Sequence, residues 1–215
     1  MSDGFQASYP VFSKSSANPQ LRSEFYAALQ PDLAGVAVFQ LSSEEKRALL
    51  LKILQNKIHG LSYSPYMDGQ KPGMDISEAQ IRQRMQIIQP YTRWIRTFSC
   101  IEGNQHSPRI ARELGLNTMV GVGIGEDRDM NEIELANGIE IAAAGYADIL
   151  AIGNEVLLRG DISEDELLDY IARAKQVLPN VMIGYVDAYF LFENHPRVAE
   201  ACDALLINCY PFWES

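Results

Sequence analysis

From Lys57 onward, short apolar runs alternate with longer stretches in which apolar positions recur every three or four residues. The short runs are Ile58–Ser64, Trp94–Cys100, Asn117–Ile124, Asp148–Gly153, Val181–Val186 and Ala204–Cys209. Their length and their β-branched and aromatic content predict strands. The longer stretches predict helices, and several carry their own start and stop signals. Ser77 with Gln80 and Ser163 with Glu166 are capping boxes, and Ile76/Ile81 and Ile162/Leu167 are the matching hydrophobic staples. Leu167, Ile171, Ala174 and Leu178 then mark one helical face. Residues 106–114 predict a short helix stopped at Gly115, Asp129–Ala144 a longer one stopped at Gly145, and residues 195–202 a last short one.

Strands separated by single helices, recurring every two to three dozen residues, predict right-handed βα units and a parallel sheet. An open doubly wound sheet would carry a Gly-rich phosphate turn after its first strand. Here that strand runs into Ser62-Tyr63-Ser64-Pro65-Tyr66, which offers none. Gly121-Val122-Gly123-Ile124-Gly125 lies within and after the third strand and lacks the full GxGxxG order, so it reads as a close-packed strand. The expected fold is therefore α/β, of (β/α)8 TIM-barrel type but incomplete, with about six barrel βα units.

Residues 1–57 read as an amino-terminal extension with one or two helices, and residues 58–215 as the partial barrel. In the extension, residues 21–30 form a short helical pattern, Ala34–Leu41 has the composition of a strand, and Ser42 with Glu45 boxes the helix RALLLKILQNK.

Composition adds exclusions. Apolar residues at 47% and charged residues at 21% are ordinary for a globular domain. A net charge of -10 argues against nucleic acid or an anionic membrane as partner. Cys100, Cys202 and Cys209 lack CxxC spacing and are expected as buried thiols, and His59, His106 and His195 lack ligand spacing, so neither a metal nor a cofactor is expected. MSDGFQASYPVF shows no basic–apolar leader, and no run approaches the ~18 apolar residues of a membrane span.

In parallel sheets covered by helices, reactive groups gather at the carboxyl ends of the strands. The fourth strand ends Ala151-Ile152-Gly153-Asn154-Glu155, which puts an amide and a carboxylate where a buried strand meets solvent. Other strand ends supply Tyr63 and Tyr66, then Arg96, Ser99 and Glu102, then Asp187 and Tyr189, then Tyr210, Phe212 and Trp213. Flat aromatic faces, hydrogen-bonding groups and carboxylates are the ingredients of a sugar cleft. Arg96 on an apolar strand must be paired if buried, whether for structure or for function.

Gly60-Leu61-Ser62-Tyr63, Ile95-Arg96-Thr97-Phe98, Ile152-Gly153-Asn154-Glu155-Val156 and Asn208-Cys209-Tyr210-Pro211-Phe212, in that order, resemble the strand motifs of glycoside hydrolase family 17. That family comprises β-1,3-glucanases and related glucan glucosyltransferases. The resemblance implies a retaining hydrolase of β-1,3-glucan with Glu155 as acid/base and Asn154 bound to the sugar 2-hydroxyl. It also implies Arg96 and Tyr210 beside the partner carboxylate, and Tyr63, Asp187, Tyr189, Phe212 and Trp213 as further substrate-binding candidates. The family's nucleophile lies in a Glu-(Thr/Ser)-Gly-Trp-Pro motif on strand seven, and no such motif occurs in this sequence. Glu214 follows strand six and does not match it, so the chain is expected to stop before strand seven. Two further readings follow: a glucan transglycosylase, and a truncated or degenerate module that binds carbohydrate without cleaving it. The resemblance implies a secreted or cell-envelope protein, whereas the bare sequence implies a cytoplasmic one.

Overall fold

The computed structural model describes residues 37–210. The chain divides into two compact units, Met1–Leu49 and Leu50–Ser215. In the first, Val38–Gln40 is a turn of 3-10 helix rather than the expected strand, with Phe39 99% exposed and no ladder partner among the described residues. Ser42 opens helix α1 (Ser43–Gln55), and its box with Glu45 is formed in both directions. The helix expected over 21–30 lies outside the described residues.

The second unit runs β1 (Ile58–Ser62), α2 (Glu78–Ile88), β2 (Thr92–Arg96), α3 (Ser107–Glu113), β3 (Asn117–Val122), α4 (Arg128–Ala143) and β4 (Ile149–Asn154). It continues α5 (Val156–Arg159), α6 (Glu164–Val177), β5 (Met182–Ala188), α7 (Tyr189–Asn194), α8 (Pro196–Ala201) and β6 (Ala204–Asn208). The six strands form one sheet in chain order, every neighbouring pair parallel. With the alternating helices they make a half-barrel, an incomplete TIM-barrel-like fold. The short helices α5 and α7, which follow β4 and β5 directly, have no periodic signal in the sequence.

Alternation along the strands sorts the two faces. Val120, Val122, Leu150, Ile152, Ile183 and Tyr185 pack against Leu135, Leu167, Ile171, Phe192 and Val198 from the helices. A second cluster joins Tyr63 and Ile95 to Ile76, Ile81, Met85 and Ile110. Helix α6 buries Leu167, Tyr170, Ile171 and Ala174, and its capping box at Ser163 is complete. Each large side chain so buried contributes about 1.5–3 kcal/mol, and the cap about 1 kcal/mol. The face away from the helices carries a row of small residues, since Gly121 pairs Ala151, Ala151 pairs Gly184 and Gly184 pairs Ala204. A Cβ at Gly121 would lie 2.4 Å from the Thr97 carbonyl oxygen, so only glycine admits this approach.

One irregularity shapes the mouth. Between Ala151 and Asn154, β4 carries an extra residue relative to β5, because Ala151 pairs Gly184 and Asn154 pairs Val186. Without this bulge Asn154 would share the helix side with Leu150 and Ile152. With it, Asn154 joins Ala151 and Val186 on the opposite face. Gly153 sits in the bulge at φ +85°, a conformation that glycine adopts freely.

Candidate active site

The bulge delivers Glu155 to the mouth in left-handed conformation, at φ 55° and ψ 29°. For a residue with a Cβ this costs roughly 1–2 kcal/mol, so the surroundings must impose it. They do so from both sides. The Glu155 N–H donates to the Val186 carbonyl at 2.8 Å, and Arg159 Nη1 donates to the Asn154 carbonyl at 2.7 Å.

Residues from the ends of two other strands converge on this turn. Arg96, at the end of β2, donates Nη2 to Asn154 Oδ1 at 2.6 Å and Nη1 to Asn208 Oδ1 at 3.3 Å. Asn208, at the end of β6, donates Nδ2 to Glu155 Oε1 at 2.8 Å and to Asn154 Oδ1 at 3.3 Å. The Tyr210 hydroxyl donates to the same Glu155 oxygen. Both donors thus meet Oε1, and Oε2 makes none of the hydrogen bonds among the described residues.

Arg96 is half-buried, and burial lowers its pKa while Tyr210 and Glu155 oppose that. A guanidinium stays charged throughout the ordinary pH range even so. It also lies over the Phe98 ring, 4.6 Å from the centroid. Tyr210 is held above the ordinary phenol range, first by its bond to Glu155 and then by burial, so it remains a proton donor.

Two expected binding residues are turned into the core. Tyr63 is 5% exposed, packs in the β1–α2 cluster and donates its hydroxyl to the Ile81 carbonyl at 2.8 Å. Asp187 is fully buried, accepting from the Tyr185 hydroxyl and from the Ala188 N–H at 2.8 Å, so it offers no surface to a sugar. Tyr189 opens α7 on the surface, edge-on to Phe190 at 5.5 Å. Phe212 and Trp213 lie outside the described residues. Tyr66 accepts from Asn104 Nδ2 at 3.2 Å, and Glu102 accepts the Gly73 N–H at 2.7 Å, each tying down a loop. Of the cysteines, Cys100 and Cys202 are buried thiols while Cys209 is exposed, against the expectation that all three are buried.

Asn208 was quoted above only within a motif, yet it bonds to both Asn154 and Glu155. Its signal was its place at a strand end directly before Cys209-Tyr210. Arg159, which fixes the Asn154 carbonyl, carried none, because Arg159-Gly160-Asp161 reads as an ordinary turn.

The BtgE/BtgC glycoside hydrolase domain family matches residues 60–215. The chain belongs to this family. It is also 22% identical over 143 residues to a glucan 1,3-beta-glucosidase of Arthroderma benhamiae, a match covering 64% of this chain and 46% of that relative. Two solved structures from Rhizomucor miehei superpose with a TM-score of 0.63 over 74% of this chain and 60% of theirs. One, 26% identical, is an active-site mutant of a β-1,3-glucanosyltransferase in complex with laminaritriose. The other, 25% identical, is the glycoside hydrolase family 17 β-1,3-glucanosyltransferase. The chain therefore spans less than half the length of the curated relative and about three fifths of the solved chains. The family match makes it a glycoside hydrolase domain whose fold is shared with the Rhizomucor β-1,3-glucanosyltransferases, and the cluster around Glu155 stands at the carboxyl ends of the strands.

Proposed function

We propose that the domain serves a retaining glycosidase acting on β-1,3-glucan, with Glu155 as general acid and base. The observation that carries this reading is the asymmetry of the Glu155 carboxyl. Tyr210 and Asn208 donate to Oε1, while Oε2 accepts no hydrogen bond among the described residues and is the oxygen that would carry a proton toward a bound sugar. In the first step the Oε2 proton passes to the glycosidic oxygen. The bond to the anomeric carbon then breaks as a second carboxylate attacks that carbon. In the second step Glu155, now ionised, takes a proton from water, which releases the sugar with its original configuration. The second carboxylate must stand about 5–5.5 Å from the first. The family pattern puts it on a seventh strand, which is not among the described residues.

Asn154 binds the sugar. Its Oδ1 is occupied by Arg96 and Asn208, which leaves Nδ2 as a donor for a hydroxyl next to the anomeric carbon. The substrate class is supported by the name of the Arthroderma relative and by the laminaritriose in the Rhizomucor complex. Glu155→Gln in the full-length gene product tests the assignment on laminari-oligosaccharides. We expect kcat to fall by about 10²–10⁴ with KM little changed; unaltered turnover would sink it.

Transglycosylation is the second reading, supported by the two Rhizomucor structures, both of a β-1,3-glucanosyltransferase. It differs only in that a sugar hydroxyl replaces water in the second step. Chromatography of products from one pure laminari-oligosaccharide separates the two, since transfer yields chains longer than the substrate and hydrolysis only shorter ones.

A further inference from the structure

The left-handed turn at Glu155 is held from beneath by β5, and three consecutive residues share the task. The Val186 carbonyl accepts the Glu155 N–H at 2.8 Å. The Tyr185 hydroxyl accepts the Leu157 N–H at 3.0 Å, at the start of the single turn α5 that Glu155 leads into. That hydroxyl donates in turn to Asp187 Oδ2, and Asp187 Oδ1 accepts the Ala188 N–H at 2.8 Å.

Neither side chain is explained by packing alone. Tyr185 and Asp187 are both 0% exposed, on the helix side of the sheet, and no cation pairs with Asp187 among the described residues. A buried carboxylate is costly unless its hydrogen bonds are met, and phenylalanine would fill the ring's place against Phe192 at 5.7 Å without any polar atom. Besides the Ala188 N–H next to Asp187 in the chain, the group that the pair bonds among the described residues is the backbone of α5. A phenol whose proton is committed to Asp187 must turn a lone pair to its other neighbour, here the Leu157 N–H. Burial and the bond to Asp187 hold Tyr185 far above the ordinary phenol range, so this arrangement persists at any working pH.

We propose that Tyr185, oriented by Asp187, is a positioning residue for the Glu155 carboxyl, acting through the backbone of α5. The inference rests on the reading of Glu155 as the acid/base. It also moves Asp187 from the sugar site to the support beneath it.

The test compares Tyr185→Phe and Asp187→Asn with the wild type, all as full-length gene product. Two substrates separate positioning from general damage. A laminari-oligosaccharide leaves as an alkoxide and needs the acid's proton, whereas an activated dinitrophenyl β-glucoside leaves without one. Tyr185→Phe should lower kcat on the oligosaccharide about tenfold or more, with KM within about twofold, and should lower the first step on the aryl substrate by less than about threefold. Asp187→Asn should act in the same direction. Equal losses on both substrates, or none on either, overturn the proposal.

A second readout does not depend on turnover. By NMR, Tyr185→Phe should speed exchange of the Leu157 amide at least about tenfold. It should also move the side-chain amide signal of Asn208, which reports the position of Glu155 Oε1. A wild type that cleaves neither substrate would dismiss the glycosidase reading. The positioning role would then stand or fall on the Asn208 signal alone, and an unmoved signal overturns it.

Discussion

Asn208 Nδ2 reaches Glu155 Oε1 at 2.8 Å from the far side of the strand row, although 53 residues separate the two in sequence. The same amide group donates to Asn154 and accepts from Arg96. One side chain thus locks the Glu155 carboxyl, the Asn154 amide and the Arg96 guanidinium into a single arrangement.

Removing that lock with Asn208→Ala should cost more in catalysis than in folding. Asn208 is only partly buried, so water can replace some of the lost bonds and stability should fall by only about 1 kcal/mol. Turnover on laminari-oligosaccharides should fall about tenfold or more, because Glu155 and Asn154 lose a shared donor. Denaturant titration together with steady-state kinetics measures both, and a variant that loses stability while keeping kcat would contradict this.

The bulge makes a prediction about Gly153. Its φ of +85° and the 3.3 Å approach of an added Cβ to Val156 Cγ1 both oppose a side chain. Gly153→Ala should destabilise by about 1–2 kcal/mol. Gly160→Ala, at φ +72° with open space around it, should cost less. Urea unfolding of the two variants side by side gives the ranking.

Glu134 supports the neighbouring strand ends from α4. It is 2% exposed and accepts from the Ser99 hydroxyl, the Cys100 N–H at 2.7 Å and the Gly123 N–H at 3.0 Å. Glu134→Ala would strand these donors in a buried place and should cost about 3 kcal/mol. A loss below about 1 kcal/mol in urea unfolding would mean that water fills the gap.

Acid should weaken α6 at its first turn. Glu166 is held down to about 2 from 4.5, first by the Ser163 N–H, then by Arg128 and the Ser163 hydroxyl. A depressed carboxyl contributes stability above its unfolded value and loses it as pH falls through the folded one. The contribution of Glu166 should therefore be complete at neutral pH and disappear between about 4.5 and 2. Melting curves across that range should converge for wild type and Glu166→Gln at the acid end and diverge at neutral pH.

The sheet and its helices were legible because their signals are local. Alternation at Ile183-Gly184-Tyr185 and the box at Ser163-Glu166 need only neighbours a few residues apart. The same alternation also contained the correct side for Asp187, two residues beyond Tyr185 on the helix face, although strand-end reasoning sent it to the mouth. Asn154 posed the reverse problem. By alternation it follows Leu150 and Ile152 into the core, and only a bulge at Gly153 turns it round. Contacts between distant strand ends, such as Arg96 with Asn208, leave no periodic trace at all. Tyr63 misled for a simpler reason, since an aromatic residue at a strand end serves a core as readily as a cleft.

The backbone of Glu155 has a consequence for any attempt to improve this protein. Left-handed geometry favours glycine and asparagine, so position 155 is occupied by a residue ill-suited to its own conformation. Selection for heat resistance alone would be drawn toward those two residues there, and each would delete the carboxyl. If Glu155 is the proposed acid, robustness and chemistry pull in opposite directions at this one position, and a library screened without substrate would discard its carboxyl first.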